Sequence, residues 1–140
     1  MLHEVATDAG TEPDALQAAY ETLVRDAVTA TDVDEVVAET KVDAETAESI
    51  ADGTVPTLTV EEAASVIALT HDRDAAAIEA ELRDHLLMGM TTAVLDVDTI
   101  AGAIDIDLTG QEVQQVLEGR TSMTLAQLAE IQGVIEARKR

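Results

Sequence analysis

Residues 32–53 read DVDEVVAETKVDAETAESIADG, and this segment contains the clearest helix start and stop signals of the sequence. Asp32 and Asp43 each precede a run whose apolar residues recur at helical spacing, which is the position that N-cap residues occupy. Gly53 follows the second run, where a helix commonly ends. The stretch therefore predicts two short helices that are joined by a tight turn.

The same pattern recurs later in the chain. Residues 96–119 read DVDTIAGAIDIDLTGQEVQQVLEG, and residues 124–129 align with residues 59–64, while the register between the two copies drifts by at most two residues. Self-similarity at one period indicates repeated structural units. We expect an all-α protein of about eight helices, built from two related four-helix units around a shared core. The predicted units are residues 1–70 and residues 71–140.

Cap residues locate the other helices. Thr11 is expected to precede the first helix, and capping boxes are expected at Asp32, Thr59, Thr109 and Thr124. The long helix that leads the second unit is predicted over residues 72–94.

The long helix is predicted to supply the core between the units, although an exposed methionine-rich surface around Met88, Met90 and Met123 is the alternative. Gly89 indicates a close helix crossing, because glycine inside a helix costs about 1 kcal/mol relative to alanine. His85 is expected to be partly buried or paired. The expected core residues are Leu86, Leu87, Met88 and Met90.

Charge indicates the environment of the protein. The formal net charge is −21, with 29 acidic and 8 basic residues, of which only Lys41 and Lys139 are lysines. Molar salt shortens the Debye length to about 3 Å, so such a surface tolerates its own charge there. The composition resembles that of extremely halophilic archaea. The acidity is then an adaptation to salt and does not by itself exclude DNA.

Several classes of function find no support in the sequence. There is no cysteine, the three histidines are scattered, and 46% hydrophobic residues suffice for a core. No Ser-His-Asp order or glycine-rich phosphate loop occurs. We expect a non-enzymatic protein without cofactor or metal, and a cytoplasmic one, since no signal core or membrane span is found.

The quoted stretch resembles the helix-turn-helix of the Cro and phage-repressor family. The similarity includes Val42 after the turn, Ile50 in the second helix, and the run through Pro56 and Leu58 into the closing helix. In that family, the positions of Val42 and Ile50 pack inward. Residues 100–119 look similar, with two extra residues around the turn. The whole chain also resembles an uncharacterised domain family of haloarchaea, which implies no known activity.

The resemblance implies double-stranded DNA as a partner and transcription regulation as a function. In the first unit, the helix that would enter the major groove carries three carboxylates between Asp43 and Ser49 and no base-reading side chain. In the second unit it carries glutamines, which can bind adenine through two hydrogen bonds. The expected DNA-binding residues are Thr109, Gln111, Gln114, Gln115 and Arg120.

A second interpretation belongs to a different class. The helix-turn-helix fold is retained but its DNA surface has decayed, which leaves a module that binds a protein partner or a second copy of itself. This interpretation predicts an exposed apolar patch.

Overall fold

The computed structural model describes residues 2–5 and 9–139. Its helical content confirms the all-α fold, and no strand occurs in the described residues. Eight α-helices lie between residues 13 and 138: α1 (Pro13–Ala30), α2 (Val33–Glu39), α3 (Ala44–Ala51), α4 (Val60–Ile67), α5 (Ala75–Ala93), α6 (Val97–Ala103), α7 (Gly110–Leu117) and α8 (Leu125–Arg138). Short 3-10 turns span Leu2–Glu4 and Ala68–Thr70.

Capping explains most of the helix starts. Of the four predicted capping boxes, those at Thr59, Thr109 and Thr124 form. At Asp32, one of the two bonds of the box is found among the described residues, from Glu35 N to the Asp32 side chain at 2.8 Å. Two predicted starts are wrong. Glu12, not Thr11, is the N-cap of α1, because Pro13 takes the first helical position, where its fixed φ fits and no N–H is needed. The long helix α5 begins after Asp74, whose side chain accepts a hydrogen bond from Ala77 N at 2.8 Å.

The leading helix of each half of the chain packs against the closing helices of both halves. The leading helix α1 packs against α4 of its own half and against α8 of the other half. In the same way, α5 packs against α8 and α4. Side chains from both halves belong to one buried cluster, including Tyr20, Ile50, Leu82, Ile100 and Leu128. The hairpins α2–α3 and α6–α7 flank this four-helix centre.

A pair of backbone hydrogen bonds joins the two halves at equivalent positions. Val60 N donates to Met123 O at 2.7 Å, and Leu125 N donates to Leu58 O at 3.0 Å. Thr59 and Thr124 therefore form an antiparallel bridge. Because residues 58–60 correspond to residues 123–125, one bond is the counterpart of the other. The contact has the symmetry of a two-fold axis, as in an isologous dimer.

The long helix confirms one prediction on its buried side and contradicts another on its outer side. Gly89 is buried, and a Cβ atom there would lie 2.6 Å from Ile135 Cγ2, which confirms the close crossing. Leu86 is buried, whereas Leu87 and Met88 are exposed, so their assignment to the core is wrong. These two residues follow Leu86 around the helix and turn away from α8.

Within the described residues, no individual helix combines the length and the apolar character needed to cross a bilayer. Helices α5 and α6 pass that test only when they are taken together, and the chain bends by 92° at the break between them.

Candidate functional site

The two hairpins differ in the segment that joins their helices. Residues 40–43 connect α2 to α3, whereas residues 104–109 connect α6 to α7. The shorter connection has the length of a helix-turn-helix turn. Val42 is buried in it, and its N–H donates to Thr40 Oγ1 at 3.1 Å. The longer connection contains the two extra residues that the sequence indicates.

Helix α7 has one buried apolar face and one face with three glutamine side chains. Val113, Val116 and Leu117 are buried against the rest of the protein. Gln111 and Gln114 are exposed and Gln115 is partly exposed. None of these three amides has a hydrogen-bond partner among the described residues. The structure thus presents three predicted site residues on one helix, with donors and acceptors available for a ligand. We call Gln111, Gln114 and Gln115 the amide face.

The two other predicted site residues are already engaged. The Thr109 hydroxyl accepts a hydrogen bond from Glu112 N at 3.1 Å, and its own N–H donates to Glu112 Oε1 at 3.0 Å. Arg120 Nη2 lies 3.1 Å from Glu118 Oε2. Both partners of this ion pair are well exposed, so the pair is weak and easily exchanged. Thr109 has a structural role as a cap, whereas the Arg120 side chain is exposed at the surface.

Helix α3 carries a different surface on the same scaffold. Counting from the N-caps Asp43 and Thr109, Glu45 and Glu48 stand where α7 has Gln111 and Gln114. Both glutamates are exposed. Glu and Gln have the same shape, so the two helices differ at these positions mainly in charge.

A carboxylate missed by the sequence reading lies at the start of α7. Asp98, on α6, lies so close to Gly110 that a Cβ atom on that glycine would collide with Asp98 Oδ1. Its negative charge is favourable beside the N-terminus of a helix. Asp96, two positions earlier, caps its own helix, since its side chain accepts a hydrogen bond from Thr99 N at 2.8 Å. The contact of Asp98 with a different helix could not be found from spacing.

Three large apolar side chains are exposed at the C-terminal end of α5. Leu87, Met88 and Val94 have relative exposures of 45%, 70% and 89%, and we call them the α5 end patch. Met88 belongs to the exposed surface that the sequence offered as an alternative. Met123 does not, because it is only 5% exposed. Met90 is partly buried against the core.

Val94 also has an unfavourable backbone conformation. It ends α5 with φ 56° and ψ 52°, which is the left-handed region. This conformation costs an L-residue roughly 1–2 kcal/mol, and a β-branched residue there is a true outlier. After α3 and α7, the residues with positive φ are glycines, Gly53 and Gly119.

Polar side chains also meet between the N-terminal turn, α5 and α8. His85 Nε2 lies 3.2 Å from Glu136 Oε1, which confirms that this histidine is paired. The His3 ring centroid lies 5.4 Å from that of His85, and His3 Nδ1 is buried with no hydrogen-bond partner among residues 2–5 and 9–139. Burial, followed by nearby positive charge, lowers the pKa of His3.

The same region contains a buried hydrogen-bonded pair. Tyr20 donates from its hydroxyl to Gln132 Oε1, and Gln132 Nε2 donates to His3 O at 3.3 Å. Burial raises the pKa of Tyr20. Across residues 2–5 and 9–139, no group of three or more His, Asp or Glu side chains is arranged to hold a metal ion.

The fold and these surfaces define an acidic, all-helical protein. The chain belongs to a family of unknown function, DUF5791, whose model matches residues 16–138. Neither a curated protein nor a solved structure matches the chain.

Proposed function

We propose that this protein binds double-stranded DNA sequence-specifically through the amide face of α7 and regulates transcription in a salt-rich, halophilic cytoplasm. The observation that carries the proposal is the set of three unpartnered amides on one exposed helix face. The resemblance to the Cro and phage-repressor family supplies the way in which such a helix would enter the major groove.

Glutamine suits the base-reading role. Its side chain presents a donor and an acceptor together, which matches adenine N6 and N7 in the major groove. The amide face is neutral, so these three side chains themselves place no charge against the bases. Arg120 lies just beyond the end of α7 and supplies one cation for the phosphate backbone.

The surroundings of α7 impose a condition on binding. Residues 96–119 carry six carboxylates and no basic residue. These charges repel phosphates strongly in dilute buffer, but molar salt screens exposed charges beyond about 3 Å. Counterion release contributes little affinity in that medium, so base contacts must supply most of it. We therefore expect binding that is detectable only at high salt.

The test is a selection of random and genomic duplex fragments on the purified protein in molar KCl. We expect the native protein to enrich one motif, and the variant Gln114→Ala/Gln115→Ala to lose that motif while its helix content stays unchanged. An unchanged motif in the folded double variant would contradict the assignment to α7.

A second variant separates charge from shape. Gln111→Glu/Gln114→Glu gives α7 the two carboxylates that α3 carries, with nearly no change in side-chain volume. We expect it to abolish enrichment. The matched control, Glu45→Gln/Glu48→Gln on α3, changes charge in the opposite sense and should leave the motif of the native protein intact.

The second candidate function is that of a helical protein-interaction module on a decayed helix-turn-helix fold. The α5 end patch favours it, since an exposed apolar surface on an acidic protein indicates a binding site. A folded protein that enriches no DNA motif in molar KCl would favour this candidate over the first.

A further inference from the structure

The α5 end patch coincides with the longest uncharged stretch of the chain. From His85 to Leu95 there is no Asp, Glu, Lys or Arg, although acidic residues occur about once in five positions elsewhere. Three of the four exposed large apolar side chains among the described residues lie within this stretch, and Val37 is the other. Exposed apolar groups and missing charge therefore mark the same surface, which a salt-adapted sequence would otherwise cover with carboxylates.

The backbone of Val94 supplies an independent observation. Its side chain is 89% exposed, so packing within the monomer does not stabilise it, and its left-handed φ makes valine unfavourable for the fold. Glycine or asparagine would end the helix without this strain. Strained backbone that the fold does not require is typical of functional positions. The apolar side chain at residue 94 then serves a contact outside the monomer.

Charge decides which partner fits this surface. A cationic protein would be drawn to the carboxylates that cover the rest of the molecule and would gain little from an uncharged patch. Two copies of a chain with charge −21 repel each other wherever their carboxylates meet. They can approach closely where neither copy carries charge, and the α5 end patch is such a surface. It is bordered by Asp84 on one side and Asp96 on the other.

We propose that the α5 end patch is a homodimer interface that binds the same patch of a second copy. In this two-fold contact, Met88 and Leu87 of one copy pack against Val94 and the small side chains of Thr91 and Thr92 of the other. The interface is small, so the dimer is reversible and depends on protein concentration. The proposal is independent of DNA binding, because it involves no residue of α7.

The first test is sedimentation equilibrium of the native protein in molar KCl from micromolar to millimolar concentration. We expect a reversible monomer–dimer equilibrium, and Met88→Glu should weaken it by at least about tenfold, because an apolar contact is lost and two charges are placed at the interface. The control Val37→Glu alters an exposed apolar residue that lies outside the patch, on α2, and should leave the equilibrium unchanged. A monomer at all concentrations, or equal effects of both variants, would overturn the proposal.

Val94→Gly distinguishes an interface role from a structural one. Removal of the strained side chain should raise the unfolding midpoint of the monomer while it weakens the dimer several-fold. A structural role for Val94 would instead lower the midpoint and leave association unchanged.

Crosslinking locates the contact directly. The chain has no cysteine, so Met88→Cys introduces a single thiol close to the proposed axis. Oxidation of this folded variant in molar KCl should yield a disulfide-linked dimer of two chains, whereas Val37→Cys should remain a monomer. Crosslinking of both to the same extent would show random collision and contradict the interface.

Discussion

The hairpins α2–α3 and α6–α7 have the same order of caps and helices, but the exposed side chains of their second helices differ in charge. Each has an aspartate cap at its first helix, a capped second helix, and a glycine with positive φ after that helix. At the exposed positions of the second helix, one hairpin carries Glu45 and Glu48 and the other carries Gln111 and Gln114. The residues that build a helical hairpin are thus separable from those that give its surface a function.

The largest expected effect tests whether the two hairpins belong to one cooperative structure. Ile50 and Val116 occupy equivalent buried positions in α3 and α7. Ile50→Ala should lower the free energy of unfolding by about 2–5 kcal/mol, and Val116→Ala by less, because fewer carbons are removed. Chemical denaturation should show one transition in both variants. Two separate transitions would mean that the halves unfold independently.

The next effect concerns a close contact at a glycine of the closing helix α8, where α4 has an alanine at the corresponding position. Gly133 on α8 corresponds to Ala68, at the end of α4. A Cβ atom at Gly133 would lie 2.7 Å from Thr11 O, so Gly133→Ala forces the backbone at Thr11 to move. We expect a loss of about 1–3 kcal/mol in stability, measured by denaturation. Ala68→Gly is the matched change, and an equal or greater loss there would contradict the close contact at Gly133.

A smaller effect follows from the N-terminal turn, which covers α5. The pKa of His3 is lowered from 6.5 by burial, so the folded protein binds the proton more weakly than the unfolded chain does. The stabilising contribution is complete above pH 6.5 and declines as the pH falls below that value. His85 and the carboxylates Glu4 and Glu81 share this environment. Thermal unfolding between pH 8 and pH 5 should show this decline in the native protein, and His3→Gln should reduce it. An identical pH profile in the variant would contradict the assignment.

The smallest expected effect is on the acid titration of two aspartate helix caps. The pKa values of Asp43, which caps α3, and Asp96, which caps α6, are lowered from 3.8 by hydrogen bonds from Thr46 and Thr99 respectively. A lowered carboxyl pKa stabilises the fold above pH 3.8 and ceases to do so as the pH falls through the folded value. Asp43→Asn and Asp96→Asn each keep a capping oxygen and remove the titration. Acid titration monitored by circular dichroism should become slightly shallower for each variant, to a similar extent. A steeper titration would be inconsistent with the lowered pKa.

The sequence predicts the helices well because their ends depend on local chemistry. The capping boxes at Thr59, Thr109 and Thr124 each satisfy backbone donors within four residues, so spacing alone identifies them. The start of α1 is wrong by one position because Pro13 selects the first helical residue. The assignment of Leu87 and Met88 to the core is wrong, because a stretch without charged residues is typical of a core. Only the tertiary packing determines which side of such a helix is buried.

The candidate surfaces are harder to predict from the sequence than the fold is. The exposure of the amide face follows from the spacing of Gln111, Gln114 and Gln115 on a predicted helix. The position of Asp98 beside Gly110 depends on how α6 crosses α7, which no local pattern encodes. The strained φ of Val94 is hidden in the same way, because valine gives no sequence signal for a left-handed helix end.

The packing of α1 against α8 has a consequence for how the chain folds. The contact joins segments at opposite ends of the sequence, as the bond between Tyr20 and Gln132 shows. Such pairing raises the contact order, and folding slows because a long loop must close before the contact forms. On the ribosome, the first half emerges with the α8-facing side of α1 uncovered. Its final structure must therefore await synthesis of the last helix, although its own four helices are complete much earlier.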